Sequence, residues 1–154
     1  GVTELPNGDI AVADKNNMRV QVFSDTYEFK YQFPTCKKPY CIASDRCFNI
    51  VVSTTERTIE VYRRTGKLIY TFSLGGRSRG PGGFQICVND KEEVIVCDPI
   101  ECVVKFFTFA GKLLYKFQPT LNGEGLSVIP SGISRTALDQ IIVADSLNHT
   151  VNLY

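Results

Sequence analysis

Three aspartates recur at matching places along the chain, Asp14, Asp98 and Asp145, and Ser53 holds the corresponding place in a fourth segment. Carboxylates at repeating positions can hold a divalent cation, or act as acid and base, when further ligands converge on them. Little is available to converge. His149 is the only histidine, so neither a histidine-rich metal centre nor a Ser-His-Asp or Cys-His relay has an oriented imidazole. Each aspartate instead heads a tight turn, where a short carboxylate accepts hydrogen bonds from nearby backbone amides. Asp14, Ser53, Asp98 and Asp145 are therefore read as structural turn residues. No catalytic residue, metal ligand or cofactor is expected.

The other chemistry-bearing motifs are equally spare. Cys36, Cys41 and Cys47 lie close together, but not at the paired spacing of a structural zinc site. Cys87, Cys97 and Cys102 fall in or beside apolar runs, where cysteine behaves as a small hydrophobe, so reduced thiols and a cytoplasmic setting are expected. The run from Gly75 to Gly83 superficially resembles a phosphate loop but lacks the Gly-Lys-Ser/Thr ending; it reads as a basic connection. Asn148-His-Thr150 is a glycosylation sequon whose Asn occupies a turn position.

Charge is more informative by place than by total. The net value is +1, yet residues 15 to 85 hold twelve Lys/Arg against five Asp/Glu, a surplus of seven, while the remainder is acidic. Such asymmetry suggests an anionic partner on one side. No apolar run approaches membrane-spanning length, and no membrane contact is expected.

These residues are positioned by a unit that occurs four times. It reads Asp9-Ile-Ala-Val-Ala-Asp14 to Phe23, Phe48-Asn-Ile-Val-Val-Ser53 to Tyr62, Glu93-Val-Ile-Val-Cys-Asp98 to Phe107, and Gln140-Ile-Ile-Val-Ala-Asp145 to Tyr154. The Asp or Ser precedes the closing aromatic by nine residues in every copy, and the copies are offset by 39, 45 and 47 residues. Each copy offers four short strand-forming runs separated by turn residues, and no window sustains helical spacing. In the third copy the runs are Phe84–Val88, Glu93–Cys97, Cys102–Phe107 and Lys112–Phe117. Second runs are apolar on both faces, as between two packed sheets, whereas third runs place Gln21, Glu60, Lys105 and Asn152 among apolar neighbours, a wetter pattern. Recurrence of one four-strand unit predicts an all-β propeller rather than a sandwich.

Pro130-Ser-Gly-Ile133, the Asp-Ile-Ala-Val-Ala-Asp phrase from Asp9 to Asp14, and Asp145-Ser-Leu-Asn-His149 resemble the NHL repeat. The second copy departs from that pattern at Ser53 and Glu56, and the third at Glu101. The resemblance implies a six-bladed β-propeller. The chain then reads as one propeller segment of about three and three-quarter four-stranded antiparallel blades, near 1–34, 35–75, 76–120 and 121–154, completed by remaining blades elsewhere in a longer chain.

Up-and-down connectivity brings the turns between second and third strands to the same face as the connections between blades. That face would carry Lys15, Asn17, Arg19, Lys37, Lys38, Tyr40, Arg57, Arg77 and Arg79, seven of the twelve cations of the basic region. The resemblance implies a non-catalytic recognition module for a protein partner, the substrate-binding end of a tripartite-motif (TRIM-NHL) ubiquitin ligase. Single-stranded RNA is the alternative ligand, held by phosphate contacts and stacking on Tyr40. A metal-dependent lyase or lactonase propeller is a second alternative that this histidine-poor segment does not favour.

Overall fold

Strand-forming runs joined by short turns have short tethers, and short tethers pair sequence neighbours antiparallel. The computed structural model describes residues 1–75, 83–121 and 126–154, and shows this pairing throughout. β1 (Val2–Glu4), β2 (Ile10–Asp14), β3 (Arg19–Phe23) and β4 (Phe29–Pro34) form the first sheet in chain order. β5 (Pro39–Ser44), β6 (Ile50–Thr54), β7 (Thr58–Tyr62) and β8 (Leu68–Ser73) form the second. β9 (Gln85–Val88), β10 (Glu93–Asp98), β11 (Val103–Thr108) and β12 (Leu113–Phe117) form the third. A ribbon of β13 (Thr120–Leu121) and β14 (Leu126–Ser127) precedes a three-stranded sheet of β15 (Pro130–Arg135), β16 (Ile141–Asp145) and β17 (Thr150–Leu153). No helix occurs among the described residues, so none is long and apolar enough to cross a membrane. The arrangement is that of propeller blades. The ribbon was not expected, because two-residue strands carry no readable period. Arg77 and Arg79 lie outside the described residues.

The turns repeat as closely as the strands. Gly8, Phe48, Glu92 and Asp139, each just before a second strand, have φ between 59° and 84°. Met18, Arg57, Cys102 and His149, just before the third strands, have φ from 50° to 60°. The register 18, 57, 102, 149 repeats the 39, 45 and 47 offsets of Asp14, Ser53, Asp98 and Asp145. Tyr27, Gly66 and Gly111 complete the pattern before or within the turns to the fourth strands. Left-handed backbone is needed for four-residue hairpin loops built on a tight turn, and only three of these positions use glycine. At Gly66 a second demand applies. A Cβ there would stand 2.4 Å from Phe33 Cβ, and one at Gly111 would stand 2.5 Å from Phe72 Cβ. The outer turn of each of these blades therefore presses on an outer-strand phenylalanine of the blade before it.

The core lies between sheets. Ala11, Ala13, Val20, Val22 and Phe33 meet Ile42, Ile50, Val52 and Tyr62 across the first interface. Val51, Ile59 and Val61 turn the other way, onto Ile86, Val94, Val96 and Phe107. Ile95, Val104 and Phe106 then meet Ile141 and Val143. β6 is buried at every position because sheets cover both its faces. β2 and β16 alternate instead, since one face of each has no neighbouring sheet among the described residues; the expectation of two dry faces holds only for the inner blades. The wetter reading of the third strands also needs correction. Glu60 and Lys105 are buried at the sheet interfaces, with hydrogen bonds in place of water.

All six cysteines are free thiols, and burial pushes Cys87 and Cys97 up to about 12. In urea unfolding, Gly66→Ala should lose about 2–4 kcal/mol, combining a left-handed non-glycine backbone with a clash on Phe33. Met18→Gly, at an equally left-handed but open turn, should stay within about 1 kcal/mol of wild type.

Candidate functional site

Each connection between sheets is stitched to the turn between second and third strands of a neighbouring or the same blade. Thr35 N donates to Met18 O at 2.9 Å, Thr55 N to Lys38 O at 3.0 Å, and Leu74 N to Arg57 O at 2.9 Å. Ser146 N donates to Ile129 O at 3.1 Å in the last sheet. These bonds fix turns and connections as one rim.

Tyr40, at the start of β5, stands where three blades converge. The Lys15 ammonium of the first blade lies 5.9 Å from its ring centroid, within cation–π range. Gly83, leading into the third blade, approaches so closely that a Cβ there would sit 2.5 Å from Tyr40 Cγ. Lys38 is exposed beside it and makes no ion pair among the described residues. Lys15 and the half-buried Tyr40 thus form a cationic and aromatic pair, with the exposed Lys38 close by along the chain.

The other sequence-selected residues are more committed. Arg19 Nε donates to Asp14 Oδ2 at 2.7 Å, and its Nη1 donates to Gln32 at 2.8 Å. Asn17 Nδ2 donates to both Asp14 oxygens. Lys37 pairs with Glu56 at 2.9 Å, and that hydrogen bond raises the Lys37 ammonium above its ordinary range. Arg57 is buried rather than displayed. Its Nε donates to Gly75 O at 2.7 Å, its guanidinium lies 4.5 Å from the centre of the Phe84 ring, and Nη2 is 3.9 Å from Asp98.

The four residues at the repeated turn position do not share one role. Asp98 Oδ1 accepts from the Ile100 and Glu101 amides, while Oδ2 accepts from Lys105 Nζ at 2.8 Å. Asp145 accepts from Ile129, Leu147 and Asn148 amides and from the Asn148 side chain, the last at 2.5 Å. Asp14 binds side chains, as described above. Ser53 does not head its turn; Thr54 does, its hydroxyl accepting from the Glu56 and Thr58 amides, each at 3.3 Å, while the Ser53 hydroxyl reaches across the blade interface, donating to Phe84 O at 2.6 Å and accepting from Cys41 N at 3.1 Å.

Two buried charged groups went unrecognised in the sequence. Lys105 is held between Asp98 and Glu101, each at 2.8 Å; burial alone would lower its ammonium, but the two carboxylates hold it above its usual range. Glu60 accepts from Tyr62 Oη and from Cys36 N, the latter at 3.2 Å, so it anchors the connection carrying Lys37 and Lys38. Burial raises the Glu60 carboxyl despite these donors. The opposite-sign pair Arg57 and Asp98, at corresponding turns of adjacent repeats, was the signal that could have revealed the first network.

The innermost strands border an opening of about 370 Å³ that includes Thr3, Glu4, Ser44, Gln85, Ser134 and Arg135. His149 is not among its lining residues; it is exposed in a turn of the last sheet.

Residues 1–23 match the NHL repeat. Over 131 residues the chain is 31% identical to "Protein brain tumor" of Drosophila melanogaster, an alignment covering 76% of this chain and 12% of that protein. It is 31% identical over 130 residues to "B-box type zinc finger protein ncl-1" of Caenorhabditis elegans, covering 76% of this chain and 15% of that protein. The chain thus spans a small part of these relatives. Among solved structures, virginiamycin B lyase from Staphylococcus aureus is similar with a TM-score of 0.65 at 19% identity, covering 100% of this chain and 54% of the lyase. At that identity the likeness concerns the fold alone.

Asp98→Ala should cost about 3–5 kcal/mol, because Lys105 keeps its burial and loses its main counter-ion; urea titration measures this. A second expectation concerns acid. The Lys30 ammonium, at 2.8 Å, and Asn7 hold the Asp9 carboxyl below its ordinary range. Ionised Asp9 therefore stabilises the fold above the unfolded Asp value of about 4, and the effect is lost as pH falls through the lowered folded value. Lys30→Ala should cost roughly 0.5–1 kcal/mol at pH 7, with Lys30 partly exposed, and the difference from wild type should shrink below about pH 4.

Proposed function

Since this chain belongs to the NHL-repeat β-propellers, we propose that it is a non-catalytic recognition module. It binds a protein partner through the rim that carries Lys15, Lys38 and Tyr40. The observation supporting this reading is the convergence of three blades on Tyr40, which sets an aromatic ring against the Lys15 ammonium, with Lys38 exposed two residues before it. Recognition by such a group needs no moving part, because the ring is already ordered before a partner arrives. Arg19 and Lys37, each paired with a carboxylate, contribute at the margin. Arg57 acts from beneath, through Gly75 O and Phe84. Arg77 and Arg79 would extend the rim from the connection that precedes the third blade.

The module is read as part of a six-bladed ring in a cytoplasmic protein, at the substrate-recognition end of a TRIM-NHL-like ubiquitin ligase. The similarity to ncl-1, whose name includes a B-box type zinc finger, supports that placement. RING and B-box cysteine and histidine spacings in the same polypeptide are the feature to seek. Their absence removes the ligase role while leaving the recognition role.

Single-stranded RNA is the second reading, favoured by the same lysine and tyrosine pairing, since a ring and flanking cations can stack a base and contact its phosphate. A single triple variant, Lys15→Ala with Lys38→Ala and Tyr40→Ala, separates the readings. For a protein ligand, the set of partners retained by the full-length protein should survive ribonuclease treatment and be lost in the variant. For RNA, affinity should fall with salt, and the logarithmic slope should become shallower by roughly 0.7 for each phosphate contact removed. Unchanged partner retention and unchanged RNA binding in the variant would discard this rim as the site.

A further inference from the structure

On the face opposite Lys15 and Tyr40, a groove of about 650 Å³ runs between the second and third sheets. Ile69 and Phe109, both packed onto the core, lie along it, and Tyr70 and Leu114 border it as half-exposed or exposed apolar surface. Cys47, Asn49 and Arg63 stand on the second-sheet side, and Lys91, Glu92 and Glu93 on the third-sheet side.

The neighbouring groove, between the first and second sheets, shows what these positions can hold. There Phe48 occupies the left-handed turn position, and the Arg64 guanidinium lies 5.1 Å from the centre of its ring and beside the Tyr31 hydroxyl. There an arginine of the chain itself lies over the aromatic ring. One repeat later, Tyr70 replaces Tyr31, Glu92 replaces Phe48 and Phe109 replaces Arg64. The aromatic wall is kept, no cation stands at the position equivalent to Arg64, although Arg63 and Lys91 line the walls, and a carboxylate has taken the place of the ring that Arg64 covers. Among the hydrogen bonds of the described residues, the one to the Glu92 side chain comes from the Cys47 thiol, at 3.5 Å. A thiol is a weak donor to a carboxylate.

We propose that this groove takes a basic side chain, arginine in preference to lysine, presented by a partner polypeptide. Glu92 serves as its counter-ion, and Tyr70, Ile69 and Leu114 cover its stem. Arginine is preferred because its planar guanidinium both stacks on an aromatic face and forks onto a carboxylate. The field at this end of the groove has the required sign. Hydrogen bonding to Glu92, followed by the charge of nearby Asp45, raises the Cys47 thiol above its ordinary range. The cation already present on the opposite wall, Arg63, is tethered by its Nη1 to Asn49 Oδ1 at 3.2 Å, and Asn89 Nδ2 engages Glu93 at 2.6 Å. Glu92 is thereby the acid left for an incoming group.

The test uses fluorescence polarisation with a labelled pentapeptide, Ala-Leu-Arg-Leu-Ala, and its citrulline twin, which keeps the shape and removes the charge. The arginine peptide should bind the full-length protein roughly tenfold more tightly than the citrulline peptide. Glu92→Gln, with an unchanged circular dichroism spectrum, should bring the two within about twofold. Glu92→Phe combined with Phe109→Arg, which copies the neighbouring groove, should abolish binding of both peptides. Equal binding of the two peptides, no binding by either, or an undiminished preference in Glu92→Gln overturns the proposal. So does loss of the preference in the Lys15→Ala, Lys38→Ala, Tyr40→Ala variant, which would place the peptide on the other face. That variant otherwise leaves this binding intact, so failure here and failure of the recognition rim are separate results.

Discussion

A sheet whose strands read Ile-Val-Val-Ser-Thr and Glu-Val-Ile-Val-Cys-Asp has no side that can be turned to water. The side chains of β6 and β10 leave both faces, and both faces are apolar, so each inner blade requires a sheet before it and a sheet after it. Pairing within a blade is local and follows from short tethers. Packing between blades is what makes the paired strands stable, at roughly 25 cal/mol for each Å² of apolar surface removed from water. The other features of the structure are adjustments to this demand. The left-handed turn residues keep the hairpins tight enough for one blade to approach the next, and Gly66 and Gly111 let outer turns settle on Phe33 and Phe72.

Polar groups trapped by the same packing are tied to backbone or to one another. Ser53 bonds across to Phe84 O and Cys41 N, Glu60 holds the start of the first connection, and Asp98 gathers Lys105, two amides and the edge of the Arg57 guanidinium. None of these interactions is bought cheaply, since desolvating a charge costs several kcal/mol before its partners compensate. They cluster near the rim where the connections pass. Their effect there is to hold loops of unequal length in fixed positions, which is what an interaction surface built on a propeller requires.

Much of the scaffold was legible in the sequence because the information is local and repeated. The register through Asp14, Ser53, Asp98 and Asp145 located the strands, and the same register reappears in the left-handed series Met18, Arg57, Cys102 and His149. The candidate rim was legible only as a list of residues on one face. That Arg57 turns inward, or that Glu60 and Lys105 are buried, depends on partners that alternation along one strand does not show: Gly75, Phe84 and Asp98 for the first, Cys36 for the second, Asp98 and Glu101 for the third. A polar residue alternating with apolar ones looks solvent-facing unless both neighbouring sheets are known. The groove beside Glu92 was hidden for a related reason. It becomes visible only when equivalent positions of successive repeats are compared with their surroundings, so that Phe109 is recognised as standing where Arg64 stood.

The free thiols are distributed in a way that follows from the blade architecture. Cys41 belongs to the cluster between the second and third sheets, and Cys87 to the cluster between the third and fourth. Cys97 points toward Gly132 O at the latter junction, 3.9 Å away. Burial keeps these thiols protonated and slow to alkylate, Cys97 most completely, since Cys41 and Cys87 also border the central opening, while Cys36 and Cys47 remain exposed. The chain consequently carries an intrinsic clock at the seam between its third and last sheets: the rate at which Cys97 becomes modifiable reports how often that seam opens, without any label having been introduced.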